Sequence, residues 1–425
     1  MADAAEIKNA DEQAAHQKNQ ELKARPIPRI TIQCFCENDD SAGVLQTVSE
    51  DRRLMKTHVN IQSGGIEAGI AYFANSPTPN LIVLESSKTR DAMLADLDKL
   101  AESCDPGTKV IIVGHYNDVL LYRELLERGV SEYIVAPIEP VQVMEAISNL
   151  FSEPGAKPVG QSAAFIGAKG GIGSSTICHN VGWAISETLK SEVVITDFDL
   201  PFGTLGLDFN QDPIRGIADA LFAPERLDEV LLDRLLVKCS EHLSILTSPG
   251  TLDREYDLGE EACEKVLEII RLNIPYAVMD LPHVWTKWSK MMLLQADEIV
   301  VTCAPDLANL RNAKNLIDLI RGYRKNDNPP YLVLNQVGMP KRPEISVKDF
   351  AEAIEIEPSA VIQFDPESFG MAANNGQMIE EINNKAKSAV QFKELARMLT
   401  HQNTETEASG KGSLLSPLLG RLGKK

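Results

Sequence analysis

The stretch "AAFIGAKGGIGSST", residues 163–176, constrains this chain more than any other. "AAFIGA" suits a buried strand, and Gly170, Gly171 and Gly173 then supply a permissive backbone. The segment that follows, "SSTICHNVGWAISETLK", places Ile177, Val181, Ile185 and Leu189 at four-residue intervals, the apolar stripe of a helix packed on a core. A glycine-rich turn from strand to helix aims backbone N–H groups at an anion, and the helix dipole favours negative charge there. The pattern is that of a phosphate-binding loop with one departure. Such loops end in Gly-Lys-Ser/Thr, whereas here Ser174 follows Gly173, and the nearby lysine, Lys169, opens the loop.

Short apolar runs alternate with helix-like segments on both sides of this loop. "RITIQCF", "PNLIVLES", "KVIIVG" and "EYIVAP" precede it, and "EVVITDFD", "YAVMDLP", "EIVVTCAP" and "YLVLNQVG" follow. That rhythm predicts an α/β chain of two doubly wound, mostly parallel sheets, one flavodoxin-like and one of the P-loop type. A length of 425 residues suits two domains. The expected division is a polar tail over 1–27, a first domain over 28–152, a Pro/Gly linker over 153–161, a second domain over 162–400 and a tail over 401–425. The first residues lack an apolar signal core and no run reaches the length of a membrane span, so a cytoplasmic chain is expected. A net charge of -19 repels phosphate backbones and disfavours a general nucleic-acid partner. Seven scattered cysteines without a CxxC pair read as reduced, buried thiols.

Three carboxylates belong with the loop. Asp197 and Asp199 end the run "VVITDFD", and Asp280 ends "YAVMD", so parallel strands would deliver them to one edge beside the loop. With a hydroxyl from Ser175 or Thr176, Ser175 being the better match by position, such acids suit a magnesium site. Taken singly, each reads better as a turn or capping residue. Replacing the loop lysine by Ser174 removes a charged contact worth about 1.5–3 kcal/mol, which weakens binding roughly ten- to hundredfold. Hydrolysis suffers more, because positioned cations contribute about a thousandfold or more to phosphoryl transfer.

"KGGIGSST" resembles the deviant Walker A motif of the ParA/MinD family of dimerising ATPases, and further motifs follow in the family's order. The resemblance implies a homodimer that binds ATP and Mg2+. Residues Gly170, Gly171, Ile172, Gly173, Ser174, Ser175 and Thr176 would cradle the phosphates. Lys169 would cross to the partner's nucleotide, and Asp199 would stand by the attacking water. Ser175, Asp197 and Asp280 would serve the magnesium. Asn335 in "LVLNQVG" would contact the base, although it reads equally as a turn residue, and Asp365 in "VIQFDPESFG" would belong to the base pocket. Without the second lysine, binding is expected to survive and hydrolysis to be slow or absent.

Residues 28–152 resemble a response-regulator receiver that has lost its chemistry. Asn38, Asp39 and Asp40 follow the first strand, but the third ends in Glu85 where an aspartate accepts phosphate, Ala136 replaces the lysine before Pro137, and Gly114 replaces a threonine or serine. The expectation is a pseudoreceiver used for docking or dimerisation, or else a flavodoxin-like domain without signalling ancestry. A pseudoreceiver joined to this ATPase resembles the CpaE/TadZ family of Tad (Flp) type IV pilus assembly. That likeness implies a localisation factor working with the pilus assembly ATPase and inner-membrane platform proteins, at the inner membrane or cell pole. In the tail "GSLLSPLLGRLGKK", five leucines share one helical face beside basic residues, which suits an anionic membrane surface or docking on a protein. The alternative function is a ParA-like partition or positioning motor that hydrolyses ATP on DNA or a membrane. A response regulator with an enzymatic output and a ligand-free scaffold are further readings.

Overall fold

The computed structural model describes residues 27, 30–54, 57–151, 159–253 and 255–402. Most of the two terminal tails, most of the linker and the leucine-rich segment 413–425 lie outside these residues.

The first sheet contains β1 (Thr31–Cys36), β2 (His58–Ser63), β3 (Leu81–Ser86), β4 (Lys109–Gly114) and β5 (Glu132–Val135), all parallel in the order β2-β1-β3-β4-β5. Counting the longer helices, it carries α1 (Asp39–Ser49), α2 (Gly65–Phe73), α3 (Arg90–Ala101), α4 (Val119–Glu127) and α5 (Pro140–Leu150). Successive strand residues face opposite sides. Cys34 therefore packs with Leu45 of α1 and Val143 and Ile147 of α5, while Phe35 packs with Ile66 of α2, Met93 of α3 and Leu121 of α4. In such an order ligands bind at the strand ends where β1 and β3 part. Glu85 stands at that crevice, buried, with its carboxylate already supplied by the protein. Glu37 N–H donates to it at 2.7 Å, Asn38 N–H at 3.2 Å, Asn38 Nδ2 at 2.5 Å and Ser41 Oγ at 2.8 Å, and His115 Nε2 lies 3.3 Å away.

The second sheet contains β6 (Gln161–Gly167), β7 (Val193–Asp197), β8 (Val237–Lys238), β9 (Leu243–Leu246), β10 (Tyr276–Leu281), β11 (Glu298–Cys303), β12 (Tyr331–Val337) and β13 (Ala360–Gln363). Their order is β13-β12-β11-β6-β10-β7-β9-β8, parallel except for β8 against β9. Gln161, expected in the linker, opens β6 instead. The longer helices are α6 (Ser174–Leu189), α7 (Glu260–Asn273), α8 (Lys287–Gln295), α9 (Leu307–Tyr323), α10 (Val347–Ile354), α11 (Pro366–Asn375) and α12 (Lys387–Leu399). Ala164 and Ile166 of β6 join a core with α7, α8 and α9, and Phe165 joins one with α6 and α12. Both faces of the central strand are thus covered, which explains its unbroken apolar reading. Among the described residues, no helix is long and apolar enough to cross a membrane.

The two sheets meet through a buried ionic contact. Arg52, just after α1, donates to Asp327 Oδ2 at 2.7 Å, to the Gln295 carbonyl at 3.0 Å and to Asp297 Oδ1 at 3.4 Å. Asp297 also accepts from Ser162 N–H and Oγ at 2.9 and 3.0 Å and from Arg271 Nη2 at 2.8 Å. Lys325 pairs with Glu50 at 2.8 Å, and Asn326 Nδ2 donates to Asp51 at 3.2 Å. Ser162 and Asp297 lie at the starts of β6 and β11, so the first unit docks at the foot of the second sheet, away from the glycine loop at its top.

Candidate functional site

The loop hangs between the central strand β6 and α6. Its first anchor is a main-chain bond from Ala168 N–H to Thr302 O of β11 at 2.8 Å. Gly171 and Gly173 have φ of 77° and 85°, in the left-handed region that side chains disfavour. A Cβ at Gly173 would also lie 2.7 Å from Asn335 Nδ2, so two independent constraints require glycine there. At Gly170 and Gly171 an added Cβ would meet nothing within 4 Å, so the loop borders open space on that side. Ser174 Oγ, at the position of the missing lysine, is buried and has no hydrogen-bond partner among the described residues. Ser175 and Thr176 are half-buried at the start of α6, while Lys169 is exposed. Asp306, which caps α9, is held below the usual carboxylate range against the effect of burial, by the Asn309 backbone and side chain and by the charge of Lys169.

The three acids are not equivalent. Asp197 and Asp280 sit side by side where β7 and β10 end. Asp197 Oδ1 accepts from Asp199 N–H at 2.9 Å, and Oδ2 accepts from Leu205 N–H at 3.3 Å and Ser248 Oγ at 3.0 Å. Both oxygens thus accept hydrogen bonds, from the segment after β7 and from Ser248 beyond β9. Burial, then the charge of Asp280, raises its pKa. Asp199 is half-buried and accepts from Phe202 N–H at 3.3 Å; burial raises its carboxyl too. Asp280 is buried, with Oδ2 3.5 Å from His179 Nε2. His179 is fully buried on α6, and its Nδ1 lies 2.7 Å from Asp208 Oδ2. Burial opposes its charge, yet the hydrogen bond to Asp208 and the nearby carboxylate of Asp280 push it up to about 10. Sequence reasoning passed over His179; the available signal was its place one helical turn after Ser175, on the face that carries the hydroxyl.

Asn335 and Asp365, the residues expected at the base, each hold a piece of backbone. Asn335 is buried on β12 and its Nδ2 donates to the Ile172 carbonyl at 2.7 Å. Asp365 caps α11, accepting from Ser368 N–H at 3.0 Å. One holds the loop and the other holds a helix end.

An anion fits this cradle: the glycines leave room, an exposed cation stands at its mouth, and a buried hydroxyl lacks a partner among the described residues. Among the described residues no three His, Cys, Asp or Glu side chains are grouped to hold a metal. An ion here would draw few ligands from protein and the rest from phosphate and water, as magnesium does at nucleotide sites.

No family model matches the chain. It is similar to the septum site-determining protein MinD of Buchnera aphidicola, at 27% identity over 267 residues, covering 60% of this chain and 96% of that protein. A solved ParA family ATPase from Chlorobium tepidum is 24% identical over 56% of this chain and 98% of its own, with a TM-score of 0.51, and shares the fold of the second unit. The solved pilus assembly protein CpaE of Caulobacter crescentus is 43% identical, covering 30% of this chain and 98% of that one, with a TM-score of 0.30. That identity, sustained over nearly the whole of a solved relative, shows that the chain belongs to the CpaE family of pilus assembly proteins, with a second unit of the ParA/MinD ATPase fold.

Proposed function

We propose that this chain is a nucleotide-dependent, dimerising localisation factor for Tad (Flp) type IV pilus assembly, one that binds ATP with Mg2+ and hydrolyses it slowly or not at all. The observation that carries this reading is a cradle with the phosphate-binding backbone intact and a serine hydroxyl, unpartnered, where the loop cation belongs. Backbone N–H groups of residues 169–175 would hold the phosphates, aided by the N-terminus of α6. Ser175 and Asp280 would hold the magnesium, Asp280 through water, and the ion would neutralise phosphate charge. Asp197 shapes the loop that carries Asp199, and Asp199 would stand by the attacking water. Lys169, exposed at the mouth of the loop, would reach a second copy, so turnover would depend on the homodimer. The pilus assembly ATPase and inner-membrane platform proteins are the partners that family membership supports, at the inner membrane or the pole.

Titration of ATP and a turnover assay on the parent, Ser174→Lys and Lys169→Ala test the reading. The parent should bind ATP, Ser174→Lys should bind about ten- to hundredfold more tightly and turn over faster, and Lys169→Ala should abolish residual turnover. A parent that binds no ATP at millimolar concentration refutes it.

A further inference from the structure

The carbonyl oxygens of the glycine loop are tied back by side chains from three separate elements. Between β10 and α8, His283 Nδ1 lies 2.9 Å from the Gly167 carbonyl; a carbonyl only accepts, so Nδ1 carries the proton. From α9, Asn312 Nδ2 donates to the Ala168 carbonyl at 2.8 Å. From β12, Asn335 Nδ2 donates to the Ile172 carbonyl at 2.7 Å, and Gln336 Nε2 donates to the Gly171 carbonyl at 3.4 Å. The β12 pair is itself set up by backbone irregularity. Pairing with β13 slips between Leu334 and Val337, Gln336 has φ of 56°, and Arg342 donates to the Gln336 carbonyl.

In a trans peptide the carbonyl and the next N–H point in opposite directions. Tying the carbonyls of Ala168, Gly171 and Ile172 outward therefore turns the N–H groups of Lys169, Ile172 and Gly173 the other way. Donors fixed before the ligand arrives need no reorganisation when it binds. We propose that Asn335 and Asn312, with His283 and Gln336, are positioning residues that preset the amide cradle, and that this rigidity substitutes in part for the ammonium lost at Ser174. The proposal rests on the nucleotide-binding reading above. It gives Asn335 a duty toward phosphate rather than toward the base.

Binding of ATP and of tripolyphosphate, which has no base, to the full chain separates the two duties. Asn335→Ala, Asn335→Asp and Asn312→Ala are compared with the parent, and each variant's melting temperature without ligand reports its folding. Asparagine-to-aspartate keeps the shape but removes the donor, so a packing role would survive it. The expected result is that every variant loses affinity for both ligands alike, by about three- to tenfold. Loss for ATP with tripolyphosphate unchanged overturns the proposal in favour of base contact, and unchanged binding of both also overturns it. A parent that binds ATP but ignores millimolar tripolyphosphate overturns it as well, since the cradle is then not what holds the ligand. If Asn335 variants fail to fold, Asn312→Ala decides on the same criteria. A parent that binds neither ligand defeats the nucleotide-binding reading itself.

Discussion

Replacing Arg52 by alanine should uncouple the two units. Its guanidinium makes two charged contacts and one to a carbonyl across the interface, at 2.7, 3.4 and 3.0 Å, and bonds to charged groups are worth roughly 1.5–3 kcal/mol each. The loss is moderated because Asp327 keeps Arg324 at 2.8 Å and Arg53 at 3.5 Å, and Asp297 keeps Arg271 at 2.8 Å. Breaking a buried pair by deleting one partner costs about 3–5 kcal/mol, and these remaining cations place the cost near 3 kcal/mol. That is a change of roughly 150-fold in the ratio of docked to undocked molecules. The assay is built into the sequence. Trp183, Trp285 and Trp288 all lie in the second unit, so their fluorescence follows it alone during urea unfolding, while hydrogen exchange of β3 amides follows the first. In the parent the two signals should change together; in Arg52→Ala the β3 amides should open at lower urea. Arg52→Lys keeps the charge without the fork and should fall between. Coincident transitions with an unchanged midpoint in Arg52→Ala would refute the argument.

Other outcomes follow from the same geometry. Against burial, Arg52, Arg324 and Arg53 hold Asp327 at about 2, below its usual 3.8, so folding gains about 2 kcal/mol that is present above pH 4 and lost as pH falls through 2, and the part owed to Arg52 and Arg53 belongs to docking. The parent-minus-Arg52→Ala difference in urea midpoint should shrink over that window. Glu85→Ala leaves the donors of Glu37, Asn38 and Ser41 without their acceptor and should lower stability by about 3 kcal/mol, seen as a lower melting temperature. Gly170→Ala should melt like the parent, because its Cβ meets nothing, yet bind ATP at least about tenfold more weakly by projecting into the phosphate space. Gly173→Ala, at φ of 85°, should lose about 1–2 kcal/mol of stability together with ATP binding.

The sheets were legible because parallel strands covered on both faces leave unbroken apolar runs, as in "AAFIG" and "LIVLES". The glycine loop was legible because its backbone demands fall on particular residues, and Gly171 and Gly173 do take positive φ. The antiparallel pair β8 and β9 was not, since two- and four-residue strands leave too short a pattern to show periodicity. Motif order brought Asp197, Asp280 and Asn335 near the loop, but not what each atom bonds to. Asp197 spends its oxygens on Asp199, Leu205 and Ser248, a choice made by a loop fold that local sequence does not encode. Arg52 and Asp327 are far apart in the chain, and no local pattern distinguishes them from surface charges.

The docking at the foot of the second sheet separates two neighbourhoods within one molecule. The receiver-like unit grips Asp297, which grips Ser162, and from Ser162 the strand runs roughly 20 Å to the glycines. A pull on the first unit therefore has two paths upward, along β6 from Ser162 and along α9 from Lys325 and Asp327 to Asn312 at the loop, both of them mechanical rather than chemical routes of communication.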